Sequence, residues 1–122
     1  MALHHHQLGT LPTASERTFT PLADASRGAH ALSVHENILN PGVAVPLHEH
    51  AVEEVIVCLQ GEGECSLAGA TWQPYGAGSV LVIPPRTPHR LRNIGASHLV
   101  QIAVLGGPEP ATLWHEPAGS VA

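Results

Sequence analysis

The sequence predicts an all-β fold, an antiparallel sandwich or barrel of short strands, and three observations carry that expectation. From Ala31 onward, runs rich in Val, Ile and Leu alternate with turn signals at short, regular spacing. The 12 Gly and 11 Pro are concentrated between those runs and leave little room for a helix of ordinary length. Aromatic residues make up only 3%, so the core must be built from Val, Ile, Leu and Ala, which pack well on pleated sheets.

Taken in order, Ala31 to Leu39 reads as a strand stopped by Asn40-Pro41-Gly42, and Val43 to Leu47 as the next. Val52 to Leu59 follows, ended by a turn at Gly61-Glu62-Gly63, then Cys65 to Leu67, a turn at Ala68-Gly69, and Ala70 to Gln73. After a turn over Pro74 to Gly78 come Val80 to Ile83, His89 to Ile94 and His98 to Leu105. Residues 1–14, with His4, His5, His6, Gly9 and Pro12, show no sustained period and are expected to form a flexible arm. Those three histidines, native or left from a purification tag, are apt to catch metal adventitiously. Residues 15–122 suit one domain, since a chain of 122 residues cannot fill two cores. Trp72 and Trp114 are expected to be packing or interface anchors.

Composition excludes several functions. The net charge is −5, with five Arg and no Lys, so there is no basic stripe for nucleic acid and no amine for a Schiff base. No run of eighteen apolar residues suits a membrane helix, and the N-terminus lacks the pattern of a secretory signal, which predicts a cytoplasmic protein. Only 12% of residues are charged, about half the usual share, so much surface is uncharged or shared, which points to a homodimer. Cys58 and Cys65 read as small core residues; a tight turn at Gly61-Glu62 would set them opposite on a hairpin, where a redox-dependent bridge is conceivable.

The chemistry is carried by histidines and one carboxylate. His48 and His50 are two apart, and in an extended strand that spacing points both imidazoles to one face. Counting by twos through Val52 reaches Glu54 on the same face, while Leu47 and Glu53 point away. His89 comes from a distant strand after Pro84, Pro85 and Pro88, and a closed barrel is the architecture that sets it opposite the others. Three imidazoles and a carboxylate suit one divalent Fe, Mn, Co, Ni, Cu or Zn ion, and the absence of a thiolate argues against a structural zinc site.

The spacing resembles the two signature motifs of the cupin superfamily. The first asks for Gly, five residues, His-x-His, three residues, Glu, six residues and Gly, and Gly42, His48, His50, Glu54 and Gly61 fill every fixed position over 42–61. The second asks for Gly, five residues, Pro-x-Gly, two residues, His, three residues and Asn, met over 78–93 by Gly78, Pro84, His89 and Asn93. Arg86 replaces the motif's third-position Gly, and because positive φ disfavours a side chain the turn there is expected to differ locally. The resemblance spans about residues 31 to 105 and implies a double-stranded β-helix (jelly-roll) barrel whose metal ligands are His48, His50, Glu54 and His89.

Around such a site, Glu54 is the candidate catalytic base. Ile56, Cys58 and Leu91 share the inward parity of Glu54 and His89 and are expected to line an apolar cavity for a small-molecule substrate. Arg86 is the candidate anion contact at its mouth, whereas Arg90 and Arg92 should face outward by alternation. His35 and Asn37 suit either the barrel lining or an outer face, and His98 and His115 read as bystanders. By resemblance to small cupins of the quercetinase and diketone-cleaving kind, the leading reading is a metal-dependent dioxygenase-like oxidoreductase on an enolisable, diketone or phenolic compound. A redox-neutral isomerase, lyase or cyclase, and a non-catalytic binding or sensing module, are the alternatives.

Overall fold

Ten strands run through the described residues of the computed structural model, which are 1–8, 11–13 and 16–117. They are β1 (Arg17–Ala23), β2 (Leu32–Leu39), β3 (Ala44–Glu49), β4 (Glu54–Gln60) and β5 (Glu62–Leu67). Then follow β6 (Gln73–Gly76), β7 (Val80–Ile83), β8 (His89–Asn93), β9 (Leu99–Gly106) and β10 (Leu113–Trp114). The one helical element described is a 3-10 turn, Ala25–Arg27. Two antiparallel five-stranded sheets form, ordered β1-β2-β9-β4-β7 and β10-β3-β8-β5-β6, which is the double-stranded β-helix barrel the sequence predicts.

Strand alternation decides what lies between the sheets. On the first, Ala103 pairs with Ile56, which pairs with Leu81, and Leu39 pairs with Leu99; on the second, Val45 pairs with Leu91, which pairs with Cys65. These rows form one buried cluster of aliphatic side chains and both cysteines. Each fully buried Leu or Ile contributes about 1.5 to 3 kcal/mol. Cys58 and Cys65 are free and buried, and burial raises both thiol pKa values.

The outer face of the first sheet is apolar as well. Cross-strand rows there read Val80, Val57, Ile102 and Val82, Val55, Val104, with Val80 and Val82 exposed. Antiparallel sheets with one free face ordinarily alternate apolar inward with polar outward.

Several expected elements differ. Arg17–Ala23 forms an edge strand paired with β2 along its length, although no strand was read before Ala31. β5 pairs with Gln73–Gly76 rather than with Ala70 to Gln73, and Pro74 is tolerated because β6 is an edge strand. The turn after β4 is narrower than Gly61-Glu62-Gly63, since Glu62 and Gly63 already belong to β5. Moreover β4 and β5 lie in different sheets, so Cys58 and Cys65 do not face one another on a hairpin. The expected boundary between arm and domain at residues 14 and 15 lies outside the described residues. Of the arm, His4 Nε2 lies 2.7 Å from the Arg27 carbonyl and His6 Nε2 3.1 Å from the buried Glu36 carboxylate.

Motif residues that hold no ligand position hold the frame. Buried Asn93 donates to the Leu39 and Ser97 carbonyls and accepts from the Gly95 N–H. Gly61 crosses between the sheets with φ +95°, and a Cβ there would stand 2.6 Å from the His98 carbonyl oxygen and 2.9 Å from Leu99 Cα. Gly78 has φ +88° but open space where a Cβ would point. Gly78→Ala therefore costs only the backbone conformation, roughly 1 kcal/mol, whereas Gly61→Ala adds a backbone collision and costs more than about 2 kcal/mol. Urea denaturation of the two variants checks that order.

Candidate metal centre

Strand β3 carries His48, and its path is set by a bulge. The β3–β8 register shifts between Val45 and His48, at Pro46, so Val45 and His48 both face the interior although they are three apart. Without the extra residue His48 would turn outward. Register then pairs His48 directly with His89 on β8, their ring centroids 4.2 Å apart.

The strand does not continue to Glu54 as the count by twos assumed. β3 ends at Glu49, the chain bends over residues 51 and 52, and Glu54 opens β4 in the opposite sheet. There it pairs with Leu105 on one side and Ile83 on the other, an apolar row in which a lone carboxylate would cost several kcal/mol. The four residues thus meet across the barrel rather than along one strand, and all are buried.

Their ring nitrogens are pre-set. His48 Nδ1 donates to the Pro46 carbonyl at 2.7 Å, His50 Nδ1 to Ala111 at 3.0 Å and His89 Nδ1 to Thr87 at 2.8 Å. A carbonyl oxygen only accepts, so each neutral ring carries its proton on Nδ1 and presents a lone pair at Nε2. Glu54 Oε1 lies 3.1 Å from His89 Nε2 and 3.7 Å from His50 Nε2. Lone pairs and a carboxylate at such range repel unless a proton or a cation lies between them.

The donor set fits a divalent ion. All four candidate ligand atoms fall within 4.8 Å of one another, close to the roughly 4.2 Å that separates opposite ligands around an ion with bonds near 2.1 Å. Nitrogen and oxygen donors suit the first-row divalent ions named above.

A cavity of about 240 Å³ opens above His48 and His50, walled by Arg17, Phe19, Thr112 and Trp114. Those four residues come from the edge strands β1 and β10 and the segment before β10. Trp114 pairs in register with His48 and its ring packs 4.9 Å from the imidazole, so it also borders the cavity. Sequence reasoning missed these four residues. The β-prone Thr18-Phe19-Thr20 could have marked a strand, but nothing in the sequence pairs it with β2 or sets β10 against β3.

The other expected residues fall elsewhere. Ile56, Cys58 and Leu91 face inward but belong to the packed cluster and do not border that cavity. Arg86 is exposed in a separate groove with Glu49, Ala51 and Leu113. Arg86 itself adopts φ +56°, and its N–H donates to the His50 carbonyl at 2.7 Å. Arg90 and Arg92 lie over the Trp72 ring, at 4.9 and 3.9 Å, and Arg92 also binds Glu64 at 2.8 Å. His35 stacks on Phe19, and Asn37 is buried on the same strand. His115 reaches Glu49 at 2.7 Å.

Residues 36–105 match the cupin domain family. This chain is a cupin. Among curated proteins, this cupin is 32% identical to auxin-binding protein 1 of Arabidopsis thaliana over 76 residues, 56% of this chain and 38% of that protein. An uncharacterized protein of Methanocaldococcus jannaschii is 36% identical over 64 residues, 52% of this chain and 50% of that protein. The chain spans half or less of the length of these relatives. A Klebsiella pneumoniae protein with a double-stranded β-helix domain superposes with TM-score 0.77 at 17% identity, covering 87% of this chain and 90% of that one. Lactobacillus farciminis oxalate decarboxylase superposes with TM-score 0.72 at 23% identity, covering 86% of this chain and 32% of that one. These two likenesses show the fold.

Burial, reinforced by the neighbouring His89, lowers the His48 pKa to about 4. In metal-free protein the folded state therefore keeps His48 neutral while the unfolded chain protonates below its ordinary 6.5. Stability from this group is complete above pH 6.5 and is lost as pH falls toward 4, by roughly 3 kcal/mol. Urea denaturation in chelator at pH 7 and pH 4.5 should show a smaller loss for His48→Leu than for wild type.

Proposed function

We propose that this cupin is a metal-dependent enzyme acting on a small enolisable organic substrate, an oxidoreductase of the small dioxygenase type. One observation carries the reading: three Nε2 lone pairs and a buried carboxylate converge beneath a cavity open to small molecules. His48, His50, Glu54 and His89 would hold the ion, which when bound supplies a Lewis acid and redox centre for an enolate oxygen. Glu54, flanked by Leu105 and Ile83, is placed to take the substrate proton that makes the enolate. Ile56 and Leu91, the next inward residues after Glu54 and His89, with Cys58 deeper, exclude water behind the ligands. The loop of Arg86 positions His50 through its backbone N–H.

The test is metal content of protein carrying Ala at His4, His5 and His6, then oxygen uptake with diketones and catechol-like compounds. Wild type should bind one ion and consume oxygen; His89→Ala should lose the stoichiometric ion, and Glu54→Gln at least about a hundredfold in rate. Turnover without oxygen would move the reading to a redox-neutral lyase, isomerase or cyclase. Ligand binding with no turnover in either condition would make the chain a binding module.

We also assign a homodimer to the outer face of the first sheet, formed by two copies of the rows Val80, Val57, Ile102 and Val82, Val55, Val104. These rows carry no charge, and Glu36 at their margin meets His6. A cytoplasmic location accords with the two free thiols; no described helix is long and apolar enough to cross a membrane. Sedimentation velocity should find a dimer for wild type and a monomer for Val57→Arg; a monomeric wild type at about 50 µM would sink the assignment.

A further inference from the structure

We propose that Arg17 and Trp114 form a carboxylate-binding subsite at the mouth of the metal cavity, so that the substrate is a small carboxylate bearing a second oxygen function that reaches the ligand cluster. The inference deepens the metal-dependent reading and rests on it. Both residues stand on edge strands, Arg17 on β1 in the first sheet and Trp114 on β10 in the second, and together they bridge the opening between the sheets.

Register aims both side chains into that opening. Arg17 pairs with Leu39, a fully buried core residue, so it shares the inward face of the sheet, and Trp114 pairs with His48. The Arg17 guanidinium carbon stands 5.6 Å from the Trp114 ring centroid, and that ring stands 4.9 Å from the His48 imidazole. A cation, an aromatic ring and the His48 imidazole therefore stand side by side along the cavity wall.

Arg17 also has no anion of its own among the described residues: its guanidinium forms no hydrogen bond and no ion pair there, although Arg92 on the outer face takes Glu64. A half-buried guanidinium over an indole and beside Phe19 is partly desolvated with only the ring face to offset the loss, and burial accordingly lowers its pKa. A carboxylate supplies what is missing, because the planar fork offers two parallel N–H groups to its two oxygens. The size fits too: a cavity of about 240 Å³ admits a compact acid.

The pattern makes Arg17, not Arg86, the cation of this cavity. It also makes the site bifunctional: a ligand with one oxygen group should lose either the guanidinium or the ligand cluster.

Two matched probes test this, acetylacetone and acetopyruvate, the same β-diketone without and with a carboxylate. Binding to zinc-loaded protein is followed by calorimetry under anaerobic conditions, with quenching of Trp114 emission in a Trp72→Phe background as a second readout. Wild type should prefer acetopyruvate by about tenfold to a hundredfold, the worth of a charge-assisted pair. In Arg17→Met, at unchanged zinc stoichiometry, the preference should collapse while acetylacetone binds as before, and Arg17→Lys should fall between. Equal affinity for the two probes in wild type, or a preference that survives in Arg17→Met, overturns the subsite and leaves the metal reading standing. If neither probe binds zinc-loaded wild type, the metal reading falls and the subsite with it.

Discussion

The structure turns on one constraint, a carboxylate held in an apolar row. Glu54 lies between Leu105 and Ile83 on the inner face of its sheet, where an uncompensated charge is not tolerated. Facing it from the opposite side are imidazoles whose Nδ1 protons are already given to the carbonyls of Pro46, Ala111 and Thr87. Those second bonds leave only Nε2 free to face the carboxylate. A proton or a cation between the two sheets relieves the repulsion between these groups, and the four donor atoms are arranged so that they could hold a metal ion.

The rest of the architecture serves that meeting. The bulge at Pro46 turns His48 inward and sets it beside His89. The bend at residues 51 and 52 carries the chain from one sheet to the other, so that His50 and Glu54 approach from different sides although only three residues separate them. Arg86 accepts a left-handed backbone where the cupin motif has glycine, and its N–H fixes the His50 carbonyl. A strained residue next to a ligand is a cost retained for position.

Access is governed by elements that contribute little to the core. β1 and β10 each form one edge of their sheet, and Arg17, Phe19, Thr112 and Trp114 stand above the cluster. Edge strands have one neighbour only, so their side chains vary at less cost than those of β4, β8 or β9. Specificity located there can change without disturbing the ligand geometry below.

The sequence by itself determined the fold class and all four cluster residues, because strand periodicity, turn residues and motif spacing are local properties written in consecutive positions. It placed His48, His50, Glu54 and His89 together, yet for one of them by a path the chain does not follow: Glu54 joins across the sheets, not along β3. Only the tertiary structure decided the cavity wall. Arg17 lies 31 residues before His48 and Trp114 lies 66 after it, and no periodicity records that β1 borders β2 or that β10 borders β3. It also separated Cys58 from Cys65 and moved Arg86 out of the cavity, since strand parity says which face a side chain takes but not which sheet its neighbour joins.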